Sequence, residues 1–166
     1  LAPVLGHRQG SQGSAEREAV VAALNGVLGD YLVTTGNPLA TPMSLRVAGP
    51  ATGRVLVLLH GLCMNDLQWL RDGHDHGEAL AREAGFTPVY LHYNSGLSVS
   101  TNGRVLAPLM ERLFDAWPMP IEQITMLGHS MGGLVARSAL HHAVLIQRGS
   151  LRWPSRVSDL VCLGTP

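Results

Sequence analysis

Apolar positions change spacing along this chain in a way that reads as alternating helices and strands. From Ser14, residues Val20, Leu24, Val27, Leu28 and Tyr31 recur at helical spacing, with Glu16 and Glu18 near the end where a helix dipole favours acids. "TTGNPLATP" stops that helix with Gly and two prolines. "MSLRV" (43–47) predicts a short strand. "RVLVLLHG" (54–61) is almost continuously apolar, the mark of a strand buried on both faces of a parallel sheet. "EALAREAG" (78–85) predicts a short helix ending at Gly85, and "TPVYLHYN" (87–94) the next strand. "SGLSVSTNG" reads as a polar loop. "RVLAPLMERLFDAW" (104–117) has helical periodicity, beginning near or kinked at Pro108. "ITML" predicts a strand, 131–146 a helix, and 157–163 a last strand. This alternation predicts an α/β fold: a parallel sheet with helices on both faces. Residues 1–13, with "GHRQGSQG", read as a flexible lead-in, and 14–166 as part of a single domain.

Composition narrows the classes. The 166 residues are 46% apolar and 14% charged, which suits a packed core and argues against disorder. Twelve basic and twelve acidic residues give zero formal charge. With no basic run, nucleic-acid binding has no support. No apolar stretch approaches the length of a membrane span, and the N-terminus has no signal-peptide core. Cys63 and Cys162 are too few for a disulfide framework and read as reduced packing residues. The compartment is weakly constrained; a soluble, cytoplasmic chain is the expectation over a secreted one.

The candidate chemistry sits where the strand "ITML" meets its helix. Gly128-His129-Ser130-Met131-Gly132 fits Gly-x-Ser-x-Gly in the strand–turn–helix setting of a nucleophile elbow. A serine at such a tight turn lifts its hydroxyl above the sheet edge. Side chains two residues before and after would collide, hence glycine at both positions. The helix that follows aims its N-terminal N–H groups at the serine. A dinucleotide loop fits less well. Gly128, Ser130 and Gly133 leave a serine where the middle glycine belongs, and the next strand lacks the terminal acid. A plain structural turn is the other alternative. His60-Gly61-Leu62 ends the strand "RVLVLL" and offers a backbone N–H, that of Leu62, to complete an oxyanion hole with the N–H of Met131. The His60 side chain itself reads as structural, holding its loop by hydrogen bonds.

With both motifs in view, the chain resembles the α/β-hydrolases of the lipase and esterase kind. The residues that carry the likeness are "VLLHGL" (57–62), "YNSG" (93–96) with "NG" at 102–103, "LGHSMGGLVAR" (127–137) and "LVCLGTP" (160–166). They are most similar to bacterial esterases and triacylglycerol lipases, including PGAP1-like proteins. The resemblance covers about residues 43–166. It implies Ser130 as nucleophile, Leu62 and Met131 as oxyanion-hole residues, and His60, Gly61, Gly128, His129, Gly132 and Gly133 as their support. It implies a small-molecule or lipid ester as substrate, with no cofactor and no metal.

A serine hydroxyl needs a base, usually a His oriented by a carboxylate. After Ser130 the chain offers only Asp159, His141 and His142. Asp159 falls at the opposite end of its strand. The two histidines lie about three turns along the helix, on the order of 15 Å away. His129 is adjacent, but the turn points it elsewhere. His74, Asp75 and His76 could suggest a metal site, but lack further ligands at the usual spacing and read as a polar loop. His92 reads as packed or hydrogen-bonded within its strand. The expectation is therefore an N-terminal portion of an ester hydrolase, inactive alone, with acid and base encoded after Pro166. A missing C-terminal segment or a second chain would cover the last strand. A shortened, non-catalytic binding module is the alternative from another class. Acyltransfer, thioester or amide chemistry on the same serine is the nearer rival.

Overall fold

A computed structural model describes residues 12–146 and 150–166 of the chain. The expected lead-in lies outside the described residues except at 12 and 13, where the first helix begins. The helix α1 (Gln12–Thr34) precedes β1 (Ser44–Val47) and β2 (Arg54–Leu59). A 3-10 turn at Asp66–Trp69 leads into a small hairpin, β3 (Leu70–Arg71) and β4 (His74–Asp75). Then follow α2 (His76–Ala84), β5 (Thr87–His92), α3 (Val99–Ala116), β6 (Gln123–His129), α4 (Met131–His141) and β7 (Val157–Leu163).

The main sheet has the order β1-β5-β2-β6-β7. Strands β5, β2, β6 and β7 are parallel, and β1 pairs antiparallel with β5 at one edge. The sheet is thus mostly rather than wholly parallel: the connection from α1 delivers β1 in the opposite direction. Side chains alternate along β2 with period two. Val55, Val57 and Leu59 join the larger core with Leu106, Met110, Val135, Ala139 and Trp153 of the α3 and α4 side. Leu56 and Leu58 face the other way, onto Trp69, Tyr90 and Leu80 of α2. Helices therefore cover both faces of the sheet. Among the described residues no helix is long and apolar enough to cross a membrane.

Several expectations change in detail. Most of the apolar positions at helical spacing in α1 point outward: Val20 is 69% and Val27 is 75% exposed, Leu28 and Tyr31 are exposed too, and Leu24 is partly covered. The inward face includes Ala22, Asn25, Gly29 and Leu32, and at Gly26 and Gly29 the helix lies so close to the neighbouring loops that a Cβ would collide. Helix α3 begins at Val99, so much of the expected polar loop is helical. Ser98 caps it by accepting the Thr101 N–H at 3.0 Å, and Asn102 donates to the Asn94 and Leu97 carbonyls. Gly103 sits against Ser138 of α4, so close that a Cβ there would collide. The helix runs through Pro108 without ending. Helix α4 gives way at His142 to a π-helical turn, Ala143 of which is still in the core. Gly85 ends α2 in the left-handed region, φ 68°, as expected.

Candidate active site at the C-terminal edge of the sheet

The strands β2 and β6 end side by side, Leu59 beside Gly128, so their loops emerge together. Ser130 follows β6 with φ 51° and ψ −123°, a backbone conformation costly for any residue but glycine. Three bonds hold it there. Its N–H donates to the Leu163 carbonyl at 2.8 Å, while its own carbonyl accepts from the Gly133 N–H at 3.2 Å and from Thr165 Oγ1 at 3.0 Å. The flanking glycines are required by contact. A Cβ on Gly132 would strike the Leu59 and His60 carbonyls, and one on Gly128 would strike the Gly133 backbone. A Cβ on Gly133 would meet Thr165 and Cys162. Met131 opens α4, so its N–H has no partner inside the helix.

The loop after β2 lies against this elbow. A Cβ on Gly61 would stand 3.2 Å from the Ser130 Cβ and 3.2 Å from His129 Nδ1. The next residue, Leu62, is half exposed, and its N–H meets no acceptor among the described residues. His60 is buried, 1% exposed, and stacks on Tyr93 with ring centroids 4.2 Å apart. Its Nδ1 donates to the Gly61 carbonyl at 2.9 Å, and the Tyr93 hydroxyl donates to the His60 carbonyl at 2.7 Å. Burial pushes the His60 imidazole down to about 4, against the opposing pull of the Gly61 hydrogen bond. So depressed, it is a weak base, tied through its ring to Gly61 and through its carbonyl to Tyr93. Burial likewise raises the Tyr93 phenol above its ordinary value.

A cleft of about 320 Å3 opens beside the elbow, lined by His60, His129, His74, His76, Trp69 and Met64 among others. The chain reading scattered these histidines among a strand end, an elbow and a polar loop. Folding brings four of the chain's eight to the lining of one cleft. His74 Nε2 and His76 Nδ1 are 3.2 Å apart. Asp75 between them turns away: it caps α2 through the Gly77 and Glu78 N–H groups and accepts from the Tyr90 hydroxyl. Among the described residues no group of three or more His, Cys, Asp or Glu side chains is arranged to hold a metal ion.

Asp66, which sequence reasoning did not single out, anchors the same region. It accepts from Arg46 Nε and pairs with His92 Nδ1, each at 2.9 Å. Its burial would raise its pKa, but hydrogen bonds and charge from His92 and Arg46 hold it down at about 2. The available signal was Asn65 and Gln68 around it, a capping box that the structure forms. Asp159 is remote: it sits beside Thr125 and bonds Gln123 and Ser158. His141 ends α4, and His142 lies 3.4 Å from Ser100. No described carboxylate or imidazole bonds the Ser130 hydroxyl.

A mostly parallel sheet flanked by helices, with strand-end loops converging on a Gly-x-Ser-x-Gly turn, defines an α/β-hydrolase-like fold. The model of the PGAP1-like alpha/beta domain matches residues 50–166, and the chain belongs to that family. Two solved structures agree in fold. A lipase of Bacillus licheniformis, BlEst2, in mature form is 16% identical with a TM-score of 0.55, over 74% of this chain and 46% of that one. Its propeptide form is 17% identical with a TM-score of 0.53, over 75% of this chain and 26% of that one. The chain thus spans less than half the length of the lipase chains that it resembles. No curated protein matches it.

Proposed function

We propose that the protein is a serine-dependent carboxylic ester hydrolase working through an acyl-enzyme on Ser130. The observation that carries this reading is the strained φ of 51° at Ser130, held by three hydrogen bonds against a glycine loop. A fold keeps such a conformation only where the surroundings force it, and a nucleophile elbow is a setting that calls for it. In the proposed reaction Ser130 Oγ attacks the acyl carbon while a histidine takes its proton. The negative oxygen that forms rests on the N–H groups of Leu62 and Met131. The histidine then protonates the leaving alcohol, and water, activated by the same histidine, releases the acid and restores the serine. The acid and base belong, on this reading, to sequence following Pro166. The part-length match to the lipase chains and the lack of a described base beside Ser130 both favour that. Residues 14–166 would then form the N-terminal part of one domain, and an ester of a small molecule or lipid would be the substrate.

Hydrolysis of p-nitrophenyl esters by the full-length protein, lost in Ser130→Ala, is the expected result; the 166 residues alone should show none. Turnover by those residues alone, abolished by Ser130→Ala, would place the base among them. The absence of a described base also suits a second reading, a hydrolase-like module that binds without turnover. A correctly folded full-length protein that never forms an acyl-enzyme would favour the module.

A further inference from the structure

Helix α1 lies before the part of the chain that the family model matches, yet it packs its backbone directly on the loops at the Ser130 edge. Gly26 lies on Cys63, the residue after Leu62: a Cβ at Gly26 would come within 2.8 Å of Cys63 Cα and 2.9 Å of its nitrogen. Gly29 lies on the loop after β5 in the same way, 2.9 Å from Gly96 Cα and 3.0 Å from Asn94 Cγ. The contact is mutual, since a Cβ on Gly96 would fall 2.9 Å from the Gly29 nitrogen and 3.1 Å from the Gly26 carbonyl oxygen. Asn94 Nδ2 donates to the Gly29 carbonyl at 3.3 Å. Asn25 ties the helix to the segment before β1, donating to the Leu39 carbonyl and accepting the Thr41 N–H. Cys63 itself is held at φ 60°, and its N–H donates to Ser95 Oγ at 2.9 Å.

Leu62 is therefore bracketed. On one side Tyr93 holds the His60 carbonyl; on the other Ser95 and Gly26 fix Cys63 in a conformation that it would not choose alone. We propose that Gly26 and Gly29 make α1 a positioning element of the active site, clamping the Leu62 N–H toward the Ser130 acyl oxygen. This rests on the ester-hydrolase reading above. It extends the functional unit beyond residues 50–166. It also explains why α1 spends its inward face on glycine and asparagine and leaves Val20, Val27 and Tyr31 outside. A glycine within a helix costs about 1 kcal/mol relative to alanine, so two of them, one against the loop after β2 and one against the loop after β5, answer a need for close approach.

The test is ester hydrolysis by the full-length protein carrying Gly26→Ala, with Val27→Ala, one residue away on the outer face, as control. Alanine is the better helix former, so lower activity would oppose the propensity change. The expected result is a fall in kcat of roughly 30- to 300-fold with KM within about 2-fold, the signature of a weakened oxyanion donor, and an unchanged Val27→Ala. Exchange of the Cys63 amide should quicken by about 10-fold or more in the same variant. If Gly26→Ala does not fold, Gly26→Ala with Cys63→Gly replaces it, read against Cys63→Gly alone; glycine suits the φ of 60° and removes the thiol in the way. Wild-type kcat in a folded Gly26 variant, or KM rising with kcat unchanged, overturns the clamp and leaves the ester-hydrolase reading standing. A wild type that neither hydrolyses esters nor acylates at Ser130 overturns both.

Discussion

The two ends of the sheet are built by opposite rules. At the N-terminal ends of the strands, polar groups are satisfied in a closed network. Thr87 is fully buried, and its hydroxyl accepts from the Thr52 N–H at 2.8 Å and donates to the Pro50 carbonyl at 2.9 Å. Arg54 donates to Gln123 and to the Ala84 carbonyl and stacks over Phe86, and the Trp117 indole donates to the Thr52 carbonyl. At the C-terminal ends the accounts stay open. The buried side-chain atoms without a partner among the described residues are His60 Nε2, Asn65 Nδ2, Trp69 Nε1 and His129 Nδ1, all at this edge. Among the described residues, the non-glycine residues with positive φ, Cys63, Asp72 and Ser130, gather there as well. One edge stabilises; the other stores strain and unmet polar capacity where a substrate would arrive.

The largest expected effect belongs to the open edge. Ser130→Ala in the full-length protein should lower ester turnover by at least about 1,000-fold while leaving its melting temperature within a few degrees. A comparable loss of folding would mean that the serine is structural after all.

Acid should find the same edge first. In His60 and Asp66 the folded pKa, about 4 and about 2, lies below the ordinary value, 6.5 and 3.8. Their contributions are therefore complete above the unfolded pKa and are lost as pH falls through the folded one. His60 should remove about 3 kcal/mol between pH 6.5 and 4, and Asp66 about 2 kcal/mol between pH 3.8 and 2. Urea titrations across that range measure both, and His60→Phe should flatten the first window alone. An unaltered slope in His60→Phe would remove His60 as the cause.

Thr87→Val probes the closed edge. It keeps the shape but orphans the Thr52 N–H and the Pro50 carbonyl, and should cost about 2 kcal/mol in denaturant melts. Acylation of Ser130 should not change; if it does, the two ends are not independent. The smallest effect runs the other way. Ser130→Gly, which accepts a φ of 51° freely, should stabilise by about 1 kcal/mol.

The same contrast explains what could be read from the chain. The elbow was legible because Gly128, Ser130 and Gly132 are close in sequence and each glycine answers a local clash. The strands and the packed helices followed from periodicity, since apolar burial is what periodicity reports. The inward face of α1 was not legible for the same reason. Gly26 and Gly29 are inward because Cys63 and Asn94 press on them, and those contacts span about 35 to 65 residues of sequence. The start of α3 was missed because Gly103 and Asn102 look like loop residues until Ser138 and the Asn94 carbonyl are placed beside them. The cleft's four histidines meet only once the hairpin β3–β4 folds back toward β2 and β6.

Whether Ser130 is an activated nucleophile is read out by fluorophosphonate treatment of the full-length protein followed by peptide mass mapping. One adduct is expected, on the peptide containing Gly128 to Gly133 and at Ser130, absent in Ser130→Ala and prevented by a bound ester. A folded protein with no adduct at Ser130, or with the adduct on another serine, would contradict it.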